Sequence, residues 1–258
     1  MFSYRRVKND ARDAADLADL LRMGRLPEAW IAPPATRELR GWVRHRAKLV
    51  GLRSNLKCQV HAVLAGAGVP VPMSDLFGPG GQKLLGSTRL VVESRSRVDS
   101  LLRIITGLDF EIDTFARLVA GRLRAHPGYV AIQQLPGVGP VLAAVFVAEI
   151  GDISRFARPA QLACWAGLTP KHHESDTTVH RGRITKQGSR LVRWAAVEAV
   201  QRLPGHTGLG ALRDRVGAHR GRNIGVVAAA RKLTELVFYG LRDGQIRRLP
   251  TRPRPATT

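Results

Sequence analysis

The 258-residue chain is expected to be mainly α-helical, on three observations. Apolar residues recur at three-, four- and seven-residue steps over long stretches. Alternating β-branched runs, which would mark strands, are scarce. Clusters of glycine and proline cut the sequence into helix-length pieces.

The first piece is Asp10 to Arg22, where Ala11, Ala14, Ala15, Ala18 and Leu21 recur at helical spacing and Gly24 ends the run. Pro27, Pro33 and Pro34 then make a linker that predicts a boundary near residue 30. From Thr36 to Leu64 an amphipathic pattern sets Leu39, Trp42, Leu49, Leu56 and Val63 on one face, with Arg37, Arg40, Arg44, Lys48 and Lys57 mostly elsewhere. Gly66, Gly68, Pro70 and Pro72 end that basic helix, and GPGG at 78–81 marks a second loop, with little regular structure between. Val91, Val98, Ile105, Ile112 and Val119 follow at seven-residue steps, interleaved with Leu101, Leu108 and Phe115, as an a/d seam. The seam could pack on the preceding helix within the chain. A dimerising coiled coil is the preferred reading, and it implies a homodimer or higher homo-oligomer. Pro127 and Gly128 break this helix, and the composition becomes apolar and glycine-punctuated in AIQQLPGVGPVLAAVFVAEIGD. A last amphipathic helix runs from Asn223 to Gly240, and the tail TRPRPATT is expected to be unstructured.

Forty-one Lys and Arg against twenty Asp and Glu leave a formal charge of +21, far more than folding requires. With 44% hydrophobic residues there is material for a core, which argues against a basic disordered tail as the whole protein and for a folded protein with basic faces. Such a face fits a polyanion, and nucleic acid above all. No apolar run is long enough to span a membrane and the N-terminus has no signal-peptide core, so no membrane partner and a cytoplasmic location are expected. Cys58 and Cys164 lie outside any CxxC spacing and are read as reduced packing residues.

Two stretches carry candidate chemistry. Leu135-Pro-Gly-Val-Gly-Pro140 before an apolar helix has the form of a helix-hairpin-helix turn. There Gly137 and Gly139 would let the backbone approach a phosphate at the positive end of the next helix. The same glycines could instead form a tight turn between packed helices. The pattern is neither GxGxxG nor a P-loop, so a backbone phosphate is expected rather than a bound nucleotide. The second stretch is a basic loop from Lys171 to Arg193, with Arg181, Arg183, Lys186, Arg190 and Arg193 as phosphate contacts and Gly182 and Gly188 keeping it pliable. Ser175 lies within it, and a serine hydroxyl can attack a phosphodiester held by cations. His172, His173 and His180 could supply a base or a metal ligand, although exposed loop histidines are the commoner case.

The segment LPGVGPVLAAVFVAEIGDISRFARPAQLACWAGLTP, the following ESDTTVHRGRITKQGSRLVRWAAVEA and the closing AARKLTELVFYGLRDG resemble one family over about 115 residues. These are the insertion-sequence transposases that pair a RuvC-like DEDD metal domain with a C-terminal domain bearing a catalytic serine, some of them guided by a bridge RNA. KNDARDAADLADLLRMG is similar to the family segment that supplies the third and fourth acids, which would be Asp10 and Asp13. At i, i+3 both carboxylates can face one side of a helix and share Mg2+. Read without the family, Asp10 is a helix cap and Asp13 a first-turn acid.

The resemblance implies a DNA transposase or site-specific recombinase. Ser175 would be the nucleophile, Asp10 and Asp13 the metal ligands, DNA the partner and a guide RNA a further one. It divides the chain into a RuvC-like remnant at 1–30, a helical coiled-coil stalk at 31–128, a helical C-terminal transposase domain at 129–245 and a tail at 246–258. Two departures stand out. Only nine residues precede Asp10, so the family's first Asp and its Glu have no counterpart, and an N-terminally truncated member is expected. Ser175 is followed by Asp176 where the family commonly has glycine, which sets a negative charge beside the attacked phosphate. The alternative is an inactive remnant that binds nucleic acid and dimerises.

Overall fold

A computed structural model describes residues 9–26, 29–175 and 178–246, with the backbone alone for 172–175 and 178–181. The described part is mainly helical, as expected. By its internal contacts the chain forms two units, one up to Pro33 and one from Pro34. The first unit holds α1 (Asp10–Arg22). Its cap is Asn9 rather than Asp10: the Asn9 side-chain oxygen accepts from the Arg12 N–H at 2.9 Å. Asp10 and Asp13 occupy the first turn, where negative charge suits the helix dipole.

The second unit begins with α2 (Pro34–Gly66), α3 (Pro79–Ser87) and α4 (Val92–Leu123). Pro34 is the first residue of α2, a position where its missing N–H costs nothing. GPGG is not a loop. Gly78 takes the N-cap position of α3 and Pro79 opens the helix. The helices α2 and α4 run antiparallel. Leu39 and Val43 share a buried cluster with Val119 and Leu123, whereas Val60, Val63 and Leu64 share another with Val98 and Ile105. Between these ends Arg53 pairs with Asp109 and the His45 ring meets Phe115 edge-on at 4.6 Å. The heptad positions Val98, Ile105, Ile112 and Val119 are thus buried within the chain, while Val91 is 71% exposed. The reading that packs the seam on the preceding helix describes these contacts.

The remaining helices are α5 (Pro127–Ile132), α6 (Pro140–Ile150), α7 (Pro159–Trp165), α8 (Arg190–Gln201), α9 (Gly208–Arg220) and α10 (Arg222–Asp243). Every residue of α6 from Ala143 to Ile150 is buried, which explains why that stretch is apolar all round instead of striped. Val192, Ala196 and Val200 of α8 share its buried cluster, as do Leu162 of α7 and Leu233, Val237 and Phe238 of α10. The same cluster includes Leu39, Val43, Val119 and Leu123, so one core joins these helices to the base of the α2–α4 pair.

The stretch after Thr169 is not a pliable loop. It is an antiparallel hairpin, β1 (Pro170–Ser175) and β2 (Thr178–Ile184), with a register shift between Pro170 and His172. Its sequence is short and polar, with none of the apolar alternation of a buried sheet, so composition hides it. Cys58 and Cys164 are exposed rather than packed. The expected unstructured tail lies outside the described residues.

Candidate nucleic-acid interface

The hairpin register pairs Ser175 with Thr178, Glu174 with Val179, His173 with His180 and His172 with Arg181. Ser175 is therefore the last paired residue of β1, beside the connection through residues 176 and 177, which lie outside the described residues. The base of the hairpin is tied down. Thr185 N–H donates to the Thr169 carbonyl at 2.9 Å and Lys186 N–H to the Gly167 carbonyl at 3.2 Å. Lys186 adopts a left-handed backbone with φ 56°, and its side chain is exposed, like those of Arg183 and Arg190. These three sequence-predicted cations thus lie on β2, the following turn and the first turn of α8.

Arg193 differs. Its Nη1 donates to the carbonyls of Ala166 at 3.0 Å, Gln187 and Gly188, and it is half-buried. Burial first, then the nearby Arg190 charge, lowers its pKa. This guanidinium fastens the turn before β1 to the turn before α8. Gly188 belongs to the same lock, for a Cβ there would overlap the Trp165 carbonyl.

The two glycines of the Leu135–Pro140 turn have different neighbours. Gly137 has φ 82° and lies so close to α8 that a Cβ would overlap the Ala199 carbonyl oxygen. Its missing side chain serves helix packing. Gly139, the N-cap of α6, is exposed and an added Cβ would meet nothing within 4 Å. The first N–H groups of α6 follow it, with Pro140 at the first position and so without one.

Beside this turn lies a cavity of about 600 Å3 between α2, α4, α6 and α8. Arg46 and Gly51, Ala120, Val141, and Arg190 with Trp194 are among the residues of the four helices that line it. Pro140, at the end of the glycine turn, and the predicted Arg190 both line it. Arg46 and Trp194 are additions that periodicity could not single out, since both belong to ordinary amphipathic repeats.

A buried charge holds this framework. Glu149, 3% exposed near the end of α6, accepts from Arg44 through Nε at 2.7 Å and Nη2 at 3.0 Å, and from Ser189 Oγ at 3.0 Å. Burial raises its pKa, but the bonds from Arg44 and Ser189 and the charge of Arg40 outweigh that, and the carboxyl titrates below its ordinary range. Arg40 donates to the carbonyls of Ala148 at 2.7 Å and Glu149 at 2.8 Å, a cation at a helix C-terminus. A lone acid within AAVFVAEI was the available signal, because a buried carboxylate requires cations.

Residues 130–211 match the transposase IS116/IS110/IS902 family, and residues 2–68 match a second transposase family, the IS110 DEDD type. Two segments of this chain are thus similar to transposase domains of the IS110/IS116 family. It is 28% identical over 204 residues to the y4qE protein of Sinorhizobium fredii, named as a transposase, covering 75% of this chain and 47% of that protein. With the 44.8 kDa protein of insertion element IS116 from Streptomyces clavuligerus it shares 26% identity, over 93% of this chain and 72% of that protein. The transposase for insertion sequence element IS1111A of Coxiella burnetii is 24% identical, over 90% and 66% of the two chains. The chain thus spans about half the length of the first of these relatives and about two thirds or more of the others.

The first transposase match contains the glycine turn, the hairpin with Ser175 and all of α8, and the second contains α1 with Asp10 and Asp13. Among the described residues no three or more His, Cys, Asp or Glu side chains gather as a metal cluster. Asp10 and Asp13 stand one helical turn apart as a pair. Two carboxylates suit Mg2+, which is commonly held through one or two of them together with waters. Among the described residues no helix is long and apolar enough to cross a membrane.

Proposed function

We propose that this chain cuts and rejoins DNA in the transposition of an insertion sequence, with Ser175 as the nucleophile. The observation that carries the reading is the hairpin. Ser175 ends β1 where the strand meets its connection, and Arg181, Arg183, Lys186 and Arg190 follow along β2 and into α8. Cations in that order can hold phosphates on either side of the one attacked. The Ser175 oxygen bonds to phosphorus, the bond to one strand oxygen breaks, and that strand leaves with a hydroxyl end. Ser175 gives its proton to a base and the leaving oxygen takes one up. His173 and His180, paired two residues along the ladder, are the candidates for that exchange. Rejoining is the reverse attack by a strand hydroxyl.

Asp10 and Asp13 would hold Mg2+, which when bound stabilises charge on phosphate oxygens. The reading calls for the family's other two acids as well. The open backbone at Gly139 and the first turn of α6 add a helix-hairpin-helix type phosphate contact. An exposed cationic face serves an RNA backbone as well as a DNA one, so a guide RNA fits the same reading. A homo-oligomer would bring a second such face to a second DNA end.

The test is a suicide DNA substrate offered with Mg2+ and with the complementary DEDD acids supplied. A denaturation-resistant protein–DNA species that disappears in Ser175→Ala is the expected result. Equal yield from Ser175→Ala overturns the serine mechanism. Salt-sensitive binding without any covalent species would instead make the chain a nucleic-acid-binding remnant.

A further inference from the structure

Arg190 apart, the cavity between α2, α4, α6 and α8 is not used by the serine chemistry. Its volume of about 600 Å3 falls within the range of small-molecule sites, and its walls are mostly aliphatic. A phosphate would lose its hydration there without return, so phosphate alone is not the guest. Two features exclude a purely apolar one. Arg46 lines the cavity with its charge disfavoured by burial and then by Arg53, against the attraction of Asp113, and its Nε has no acceptor. Arg190 of α8 also lines it, as do Pro140 and Val141 of the first turn of α6, where the N–H groups of a helix start have no partner within the helix. The guest must therefore offer apolar faces, hydrogen-bond acceptors at its edge and an attached anion. Trp194 lines the same space and is 45% exposed, a large aromatic surface that the core does not use.

We propose that this cleft receives a single unstacked nucleobase from a strand bound across the basic hairpin. Trp194 is its stacking platform, Arg46 meets the base edge, and Arg190 with the start of α6 meets the adjoining phosphate. Every base has a π face and ring or carbonyl acceptors, so the site tolerates sequence. A base already unpaired enters at least cost, so single-stranded or distorted segments are favoured over intact duplex.

The inference rests on the reading of this face as a nucleic-acid surface. It is tested on the full chain with short labelled single strands of DNA and of RNA, the same backbones without bases, and duplex DNA. Base-bearing strands should bind about tenfold more tightly than abasic ones. The DNA and RNA arms decide which strand supplies the base. Gly51→Phe fills the cleft from a position where an added Cβ meets nothing within 4 Å, and it raises helix propensity, so the fold is retained. It should reduce base-bearing strands to the abasic level while leaving duplex affinity unchanged. Trp194→Ala should remove most of the same advantage. Equal binding of abasic and base-bearing strands, or an advantage that survives Gly51→Phe, overturns the proposal. So does a solution dimer that Gly51→Phe splits, since a second copy would then fill the cleft. Failure to bind duplex as well would overturn the nucleic-acid reading itself, whereas duplex binding without base preference overturns the cleft alone.

Discussion

Arg44 reaches from α2 to the buried carboxylate of Glu149 on α6, with Nε 2.7 Å from Oε1 and Nη2 3.0 Å from Oε2. The same carboxylate accepts from Ser189, the N-cap of α8, so one charge joins three helices around the cleft. The Glu149 pKa is lowered in the folded chain, so the group adds stability above the unfolded carboxyl pKa of about 4.3. That contribution is lost as pH falls through the folded value. Arg44→Ala should cost about 2 kcal/mol near neutral pH, less than a fully buried pair because Arg44 is itself half open to water. It should also flatten the acid limb of stability, because the carboxyl loses what holds its pKa down. Urea unfolding at a series of pH values checks both effects.

The two glycines of the α5–α6 turn should separate cleanly. Gly137→Ala forces φ 82° on a residue with a side chain and drives its Cβ into the Ala199 carbonyl, so a loss of about 3 kcal/mol is expected. Gly139→Ala meets no atom and should stay within about 1 kcal/mol, the scale of an N-cap change. Thermal melting distinguishes them, and equal losses would refute the packing role given to Gly137.

The cations divide in a similar way. Removing Arg183, Lys186 or Arg190 should leave the melting temperature unchanged and reduce the slope of log binding constant against log salt by about one each. Arg193→Ala should lower the melting temperature first, since its guanidinium bonds to backbone carbonyls of two turns. Salt titrations of DNA binding, run beside melting curves, read the two quantities separately.

The heptad seam makes the fourth prediction. Ile105→Ala should cost about 3 kcal/mol by leaving a cavity between α2 and α4, at any protein concentration. Val91→Ala, at the exposed end of the same repeat, should be close to neutral. If the loss at Ile105 shrank as the chain was concentrated, the seam would belong to an intermolecular coiled coil.

Much of this was legible in the chain because helices are local. The spacing of Ala11 to Leu21, of Leu39 to Val63 and of Val98 to Val119 already defines α1, α2 and α4 within a few residues. The hairpin was hidden because its strands are short and polar and owe their pairing to the lock around Gly167, Gly188 and Arg193. Glu149 was visible as an anomaly, but its partners Arg44 and Ser189 are 105 and 40 residues away.

Local spacing and charge by themselves determined the helical class, the surplus of cations and the stretch that resembles transposases. Which partner buries the seam, which glycine is occupied by packing and which arginines remain exposed were decided by the tertiary structure alone. The physical reason is that a helix records its own period in sequence. The worth of a charge or a missing Cβ instead depends on which distant backbone or carboxylate arrives beside it.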